Sequence, residues 1–221
     1  MTRRTSRRVI AGCSEIAECG AAVCEASCAE MPMQIGELHA AIAAAWARPS
    51  RRLAGACNCA TAQVRVFLAD AYRMRPRRAG KTVEHPIAVG ELLTDDGQPP
   101  TVVVAGLLHD VLEDTDVTPA ELHTRFGADV ARLVEALTQD TAIVKYGERK
   151  AALRRQILDA DPEAAIVSLA DKAAKLQSVE HRPKERRMAH YRATLDGIEA
   201  RHGRSRLSER LRQQLERWSE R

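Results

Sequence analysis

One stretch of the chain constrains the fold more than any other, because it places ionisable side chains directly behind an apolar run. From Thr101 onward the residues are apolar on almost every side, which is typical of a helix buried inside a bundle. Four ionisable residues then follow within six positions: His109, Asp110, Glu113 and Asp114. Buried carboxylates are costly unless they are paired with a cation or bind a metal. The stretch predicts one helix over 101–114 that ends in a cleft or metal site, and the alternative is a helix that ends in surface acids.

The rest of the chain favours an all-α fold. Only 3% of its 221 residues are aromatic, and the apolar residues are mostly alanine, leucine and valine, which suit helices better than strands. Periodicity and capping signals predict about nine or ten helices and no strand. The predicted spans are 35–48, 60–74, 85–93, 101–114, 119–126, 128–138, 148–159, a helix opened by Asp161-Pro162, and one or two basic amphipathic helices after Pro183.

The charge is unevenly distributed along the chain. Residues 56–171 carry a net charge of −5 and residues 172–221 carry +7. Glutamates are interleaved with the basic residues of the C-terminal region, so we interpret it as a solvent-exposed face of amphipathic helices. We therefore expect no nucleic-acid partner. A nucleic-acid-binding tail remains the alternative for that region. No apolar run approaches the roughly 18 residues of a membrane span, so we expect no membrane-spanning segment either.

The first part of the chain reads differently from the rest. All six cysteines lie within the first 59 residues, at spacings that do not repeat a zinc-binding pair, although a zinc knuckle stays open. Glutamates interrupt any export signal there, so we expect a cytoplasmic protein. The predicted organisation is a disordered cysteine-containing leader over 1–33, a helical domain over 34–200 and a basic amphipathic helix over 201–221.

Two further residues stand out as candidate ligands. Asp171 follows the apolar run 164–170, so it either pairs with Lys172 or Lys175 or binds a ligand. His85 precedes a proline at the start of a predicted helix, where a structural role is the alternative. Together with His109 and Asp110, these residues offer imidazole and carboxylate groups, which suit a divalent metal ion.

These motifs resemble the HD-domain metal-dependent phosphohydrolases, and in particular the hydrolase domain of the RelA/SpoT homologues and the small stand-alone alarmone hydrolases. Residues 105–115, AGLLHDVLEDT, resemble that family's ALLHDVVEDT core. Residues 126–134, FGADVARLV, resemble its FGxxVAxLV segment, and residues 168–172, SLADK, resemble its KLADR segment. The resemblance covers roughly residues 64–179, and it implies an HD-domain helical bundle.

The resemblance also implies roles for individual residues. The expected ligands of a divalent metal, Mn²⁺ by resemblance, are His85, His109, Asp110 and Asp171. The expected catalytic pair that positions or activates the attacking water is Glu113 and Asp114. The expected substrate-binding residues are Arg77, Arg78, Lys81 and Lys175.

Lys175 is where the sequence departs from the family, which usually has an asparagine at that position. The function implied is removal of the 3′ pyrophosphate from guanosine tetra- or pentaphosphate, without synthetase activity. One alternative is an HD-domain phosphohydrolase that acts on another nucleotide or phosphorylated metabolite, which Lys175 favours. Another is a non-catalytic metal- or nucleotide-binding regulatory module. A homo-oligomer is compatible with the sequence.

Overall fold

The computed structural model describes residues 53–181 and 183–219, and it confirms the all-α fold. Within these ranges the chain forms ten helices and no strand beyond an isolated bridge between Pro76 and Thr115. The helices are α1 (Leu53–Met74), α2 (Glu84–Asp95), α3 (Pro100–Leu108), α4 (Val111–Asp114), α5 (Pro119–Phe126), α6 (Ala128–Leu137), α7 (Tyr146–Asp159), α8 (Pro162–Gln177), α9 (Glu185–His202) and α10 (Arg206–Ser219).

The chain is divided after Gly55, and the second unit, Ala56–Arg221, is compact. The predicted leader over 1–33 and the predicted helix over 35–48 lie outside the described residues. The description below concerns the second unit, where no described helix is long and apolar enough to cross a membrane.

Helix α3 is the centre of this unit. All of its residues from Val102 to Leu108 are buried, and it packs against α2, α6 and α8. The approach of α2 and α3 depends on one glycine in each helix. A Cβ atom at Gly90 would lie 2.6 Å from Leu107, and one at Gly106 would lie 2.2 Å from Leu93. The two helices therefore pack closer than alanine would allow.

The structure corrects the predicted single helix over 101–114. Helix α3 ends at Leu108, and His109 and Asp110 form a turn before α4 begins at Val111. The His109 ring nitrogen Nδ1 lies 2.7 Å from the carbonyl oxygen of Gly106. In a continuous helix that oxygen would accept the amide of Asp110, so the side chain competes with the backbone ladder.

The remaining boundaries agree with the sequence to within a few residues, apart from α1, which begins at Leu53 rather than at residue 60. The predicted cap of α5 is present, because Oγ1 of Thr118 accepts a hydrogen bond of 3.2 Å from the amide of Glu121. The basic C-terminal region forms two helices, α9 and α10. Leu207, Leu211 and Leu215 are buried on one face of α10, which packs against α8 and α9.

Candidate metal centre and acidic pair

The packing of α2, α3 and α8 brings the expected metal ligands together. His85 lies in the first turn of α2, His109 and Asp110 in the turn after α3, and Asp171 in the middle of α8. Oδ1 of Asp171 is 2.9 Å from Nε2 of His85 and 3.5 Å from Nε2 of His109. Oδ1 of Asp110 is 3.4 Å from the same His109 nitrogen. Ligand atoms of His85, His109 and Asp171 lie within 4.8 Å of one another, which is close enough to share one ion.

The hydrogen bonds of His109 fit a metal ligand. Its Nδ1 atom donates to the Gly106 carbonyl, so the tautomer with a proton on Nδ1 leaves a lone pair on Nε2. That Nε2 atom is buried and has no hydrogen-bond partner. An orphaned, buried nitrogen facing carboxylates is unusual unless a cation occupies the space between them. The mixture of imidazole and carboxylate donors suits a first-row divalent ion.

The electrostatics of the cluster favour a positive charge at its centre. Burial lowers the pKa of His109, but Asp110 and Asp171 outweigh it and raise that pKa to about 10. Burial acts to raise the pKa values of the two carboxyls, but nearby cations hold both below the usual range. The carboxylates thus favour a positive charge beside Nε2 of His109. A proton or a metal ion would supply that charge, and a metal ion would require the neutral imidazole.

Asp171 uses its two oxygens for different partners. Oδ1 faces the histidines, while Oδ2 lies 3.3 Å from Nζ of Lys172. Lys172 is only 3% exposed and also donates to Oγ of Ser168 at 2.9 Å. Asp171 can therefore form an ion pair with Lys172 and serve as a metal ligand at the same time, because each interaction uses a different oxygen.

The acidic pair lies beside this cluster, and its two members have different surroundings. Asp114 is 2% exposed and is in contact with three groups: the Tyr72 hydroxyl at 3.3 Å, Arg78 at 3.3 Å and Lys81 at 3.0 Å. Burial raises the pKa of Tyr72, and Asp110 and Asp114 add to the rise, so its hydroxyl remains a donor. Asp114 therefore holds Arg78 and Lys81 in position.

Glu113 accepts hydrogen bonds from a residue that sequence reasoning missed. The Gln139 backbone amide donates to Oε1 at 2.9 Å, and the Gln139 side-chain amide donates to Oε2. Arg78 lies 3.5 Å from Oε2. Gln139 belongs to the loop after α6, and no spacing pattern connects it to Glu113, so only the tertiary fold reveals the contact.

The basic residues that follow α1, Arg77, Arg78 and Lys81, contact two different parts of the molecule. Arg78 and Lys81 lie against the acidic pair, as described above. Arg77 instead donates from Nε to Asp116 at 2.6 Å and from its guanidinium to the Leu112 carbonyl at 3.2 Å, and its side chain is half exposed. The structure therefore brings Arg78 and Lys81 to the site and leaves Arg77 beside it.

Lys175 lies one turn of α8 beyond Asp171 and is half-buried. Its side chain makes no hydrogen bond or ion pair with the described part of the chain, yet its charge helps to lower the pKa of Asp110. Lys150 of α7 is a second cation near the site, which the sequence did not single out. Its Nζ atom donates to Oε1 of Gln139 at 3.0 Å, and it contacts no described carboxylate.

The fold and the site together define a helical domain with a partly buried histidine–aspartate cluster whose donor atoms suit a divalent ion. The family model of the HD domain matches residues 64–196. This match covers more than half of the chain and includes every residue of the cluster and of the acidic pair. The chain belongs to the HD-domain family.

The chain is also similar to individual known proteins. It is 39% identical over 118 residues to the guanosine-3′,5′-bis(diphosphate) 3′-pyrophosphohydrolase MESH1 of Mus musculus, covering 51% of this chain and 65% of that protein. It is 42% identical over 99 residues to MESH1 of Homo sapiens, covering 44% and 55%. The chain thus spans about three-fifths of the length of these relatives.

A solved structure, described as a metazoan ortholog of SpoT that hydrolyses ppGpp, superposes with a TM-score of 0.58 at 26% sequence identity. The superposition covers 71% of this chain and 93% of that one. The helical arrangement around the site is therefore shared with a protein of known structure.

Proposed function

We propose that this protein is a divalent-metal-dependent phosphohydrolase that removes pyrophosphate from the 3′ position of guanosine tetra- or pentaphosphate. The observation that carries the proposal is the partly buried cluster of His85, His109, Asp110 and Asp171 beside a carboxylate, Glu113, that is not part of it. The named activity of the MESH1 relatives supports the choice of substrate.

Four residues hold the metal in this proposal: His85, His109, Asp110 and Asp171. A divalent ion, Mn²⁺ by family resemblance, supplies Lewis acidity and lowers the pKa of a water molecule near the phosphoryl group. Proton transfer and the binding of the phosphate groups are assigned to side chains of this chain.

Glu113 is the base in the proposed reaction. It is the acid of the pair with fewer cation contacts, since it meets the two amides of Gln139 and one cation, Arg78, at 3.5 Å, whereas Asp114 meets both Arg78 and Lys81. Glu113 accepts the proton of the attacking water as the oxygen approaches the phosphorus atom bonded to the ribose 3′ oxygen. The bond between that phosphorus and the ribose oxygen breaks, the ribose oxygen leaves and takes up a proton from solvent, and the attacked phosphorus departs within the pyrophosphate. Asp114 contributes by holding Arg78 and Lys81 at the edge of the cleft.

The cations give the site its preference for phosphates. Arg78 and Lys81 lie on one side of the acidic pair, and Lys150 and Lys175 approach from α7 and α8. A guanidinium can bind two phosphate oxygens at once, whereas the lysines act as point charges. A substrate with several phosphate groups satisfies cations on both sides of the cleft, which favours a bis(diphosphate) over a monophosphate.

A second candidate function is hydrolysis of another nucleotide or phosphorylated metabolite by the same site. Lys175 favours it, because an ammonium group only donates hydrogen bonds, whereas an asparagine donates and accepts them at a base or sugar. The cytoplasmic location, the absence of a nucleic-acid partner and a homo-oligomeric state remain predictions from the sequence.

A substrate screen tests these proposals. The Mn²⁺-loaded protein is incubated with guanosine tetraphosphate, its adenosine analogue, GTP, GDP and deoxynucleoside triphosphates, and the products are identified by anion-exchange chromatography. We expect GDP and pyrophosphate from guanosine tetraphosphate. Cleavage of another compound alone would replace the proposed substrate, and tight binding without any turnover would favour the regulatory module.

A further inference from the structure

We propose that Gln139 is a positioning residue that orients Glu113 for proton transfer, and that α7 in turn fixes Gln139. This inference rests on the proposed function, since it concerns the residue assigned there as the base. It starts from a contact in which one residue uses both of its donors on the two oxygens of a single carboxylate. The backbone amide of Gln139 donates to Oε1 of Glu113 at 2.9 Å, and its side-chain amide donates to Oε2.

This two-point contact fixes the plane of the carboxylate. A carboxylate held at one oxygen can rotate about its terminal bond, which is a broad and soft torsion. A carboxylate held at both oxygens by a single residue cannot rotate without breaking one bond. Oε1 keeps a second lone pair, whereas Oε2 also lies 3.5 Å from Arg78, so Oε1 is the atom of Glu113 that can still accept a proton from water. The contact therefore defines where the free lone pair of Oε1 points.

The side chain of Gln139 is itself fixed by two cations of α7. Its Oε1 atom accepts from Nε of Arg149 at 3.1 Å and from Nζ of Lys150 at 3.0 Å. The guanidinium of Arg149 also donates to the carbonyl oxygens of Ile143 and Val144, at 2.7 and 3.0 Å, so it ties down the loop that contains Gln139. With Oε1 facing two cations, the amide nitrogen must face Glu113.

An amide is the group that this position requires. A glutamate at 139 would still accept from Arg149 and Lys150, but it would offer Glu113 a negative charge in place of a donor. An apolar residue would leave Nζ of Lys150 and Nε of Arg149 without this acceptor, and Oε2 of Glu113 with Arg78 alone. Glutamine has both a donor and an acceptor at its end, so it connects cations on one side to a carboxylate on the other.

The test is Gln139→Glu, which keeps the shape of the side chain and its contacts with α7 while removing the donor to Glu113. We expect kcat on the parent's substrate to fall at least tenfold, KM to stay within threefold, and the Mn²⁺ content to be unchanged. If the role of Gln139 were only to support the loop, this variant would turn over at the parent's rate, and that result would overturn the proposal.

Two further variants separate positioning from general loop stability. Gln156→Met removes another glutamine that supports the same region, through hydrogen bonds to the carbonyls of Glu135, Ala136 and Thr138, but it does not touch Glu113. We expect it to lower the melting temperature and leave kcat within threefold. An equal loss of kcat in Gln156→Met and Gln139→Glu would mean that loop stability controls turnover, and the proposal would be wrong.

The double variant Glu113→Gln/Gln139→Glu, compared with the two single variants and the parent, forms a double-mutant cycle. If Gln139 acts only through Glu113, its replacement causes no further loss once the base is gone, whereas independent effects multiply. Failure of the proposed function shows separately, as an unmodified protein that does not cleave guanosine tetraphosphate. In that case the same variants are compared on whichever phosphorylated compound the screen identifies.

Discussion

Replacing Glu113 with glutamine removes the proposed base while changing the shape of the side chain very little. Glu113 contributes no atom to the histidine–aspartate cluster, so the metal content should not change. Loss of a general base typically costs 10²- to 10⁴-fold in rate, which corresponds to about 3–5 kcal/mol of activation free energy. We therefore expect kcat of Glu113→Gln to fall by at least about 10²-fold, with KM close to that of the parent.

The same variant should be slightly less stable. Gln139 donates to both oxygens of Glu113, and a glutamine at 113 offers only one acceptor oxygen to these two donors. An unsatisfied donor of this kind costs about 1–3 kcal/mol. At about 2–4 °C per kcal/mol for a domain of this size, the melting temperature should fall by several degrees, well short of unfolding at 25 °C.

The assay is steady-state release of pyrophosphate, combined with metal analysis and a thermal melt of each variant. The matched control is Glu135→Gln, which makes the same chemical change at an exposed position of α6. The control should match the parent in all three measurements. Turnover of Glu113→Gln within threefold of the parent, with metal bound, would refute the assignment of Glu113 as the base.

Three more predictions follow from the cleft and its surroundings. Asp110→Ala should bind Mn²⁺ more weakly, seen as lower metal content after dialysis and a smaller rise in melting temperature on adding Mn²⁺; unchanged values would remove Asp110 from the ligand set. Burial and nearby cations lower the pKa of His190 to about 3, so only the unfolded chain takes up its proton between pH 6 and 4. The free energy of unfolding should therefore decrease by up to about 1.4 kcal/mol for each unit by which the pH is lowered in this range. Urea titrations at several pH values should show a weaker dependence of this free energy on pH in His190→Gln than in the parent, and an equal dependence would contradict the prediction. Lys175→Asn should increase the preference for guanosine over adenosine tetraphosphate in parallel assays, and a parent preference that is already strong and does not change would disprove the role of Lys175.

The fold was largely predictable because its signals are local. The apolar run before His109, the cap at Thr118 and the glycine after Phe126 each act within one or two helical turns. The break at His109 was not predictable in the same way, since it depends on the imidazole taking the carbonyl of Gly106 rather than pointing outward. Helix propensity says nothing about that choice, which the packing around α3 decides.

The convergence of His85, His109, Asp110 and Asp171 was expected from the family resemblance, whereas their spacing alone could not establish it. Residues 85 and 171 approach within 2.9 Å because α2 and α8 both pack on α3. The same reasoning could not find Gln139 or Lys150, which lie in a loop and on a polar helix without any pattern that relates them to Glu113. Contacts between polar side chains from different elements leave no periodicity in a sequence.

The acidic residues that make residues 56–171 negative include those of the site, and several of these are paired with cations. Asp114 is balanced by Arg78 and Lys81, and one oxygen of Asp171 is balanced by Lys172. Asp110 and the other oxygen of Asp171 face the two histidines, where a divalent ion would balance them, and Glu113 faces Gln139 and Arg78. The ammonium groups of Lys150 and Lys175 have no carboxylate contact in the described part of the chain. These two lysines, on α7 and α8, therefore carry positive charge that no described carboxylate contact balances, and we expect them to bind one phosphate group of the proposed substrate while another lies at the histidine–aspartate cluster.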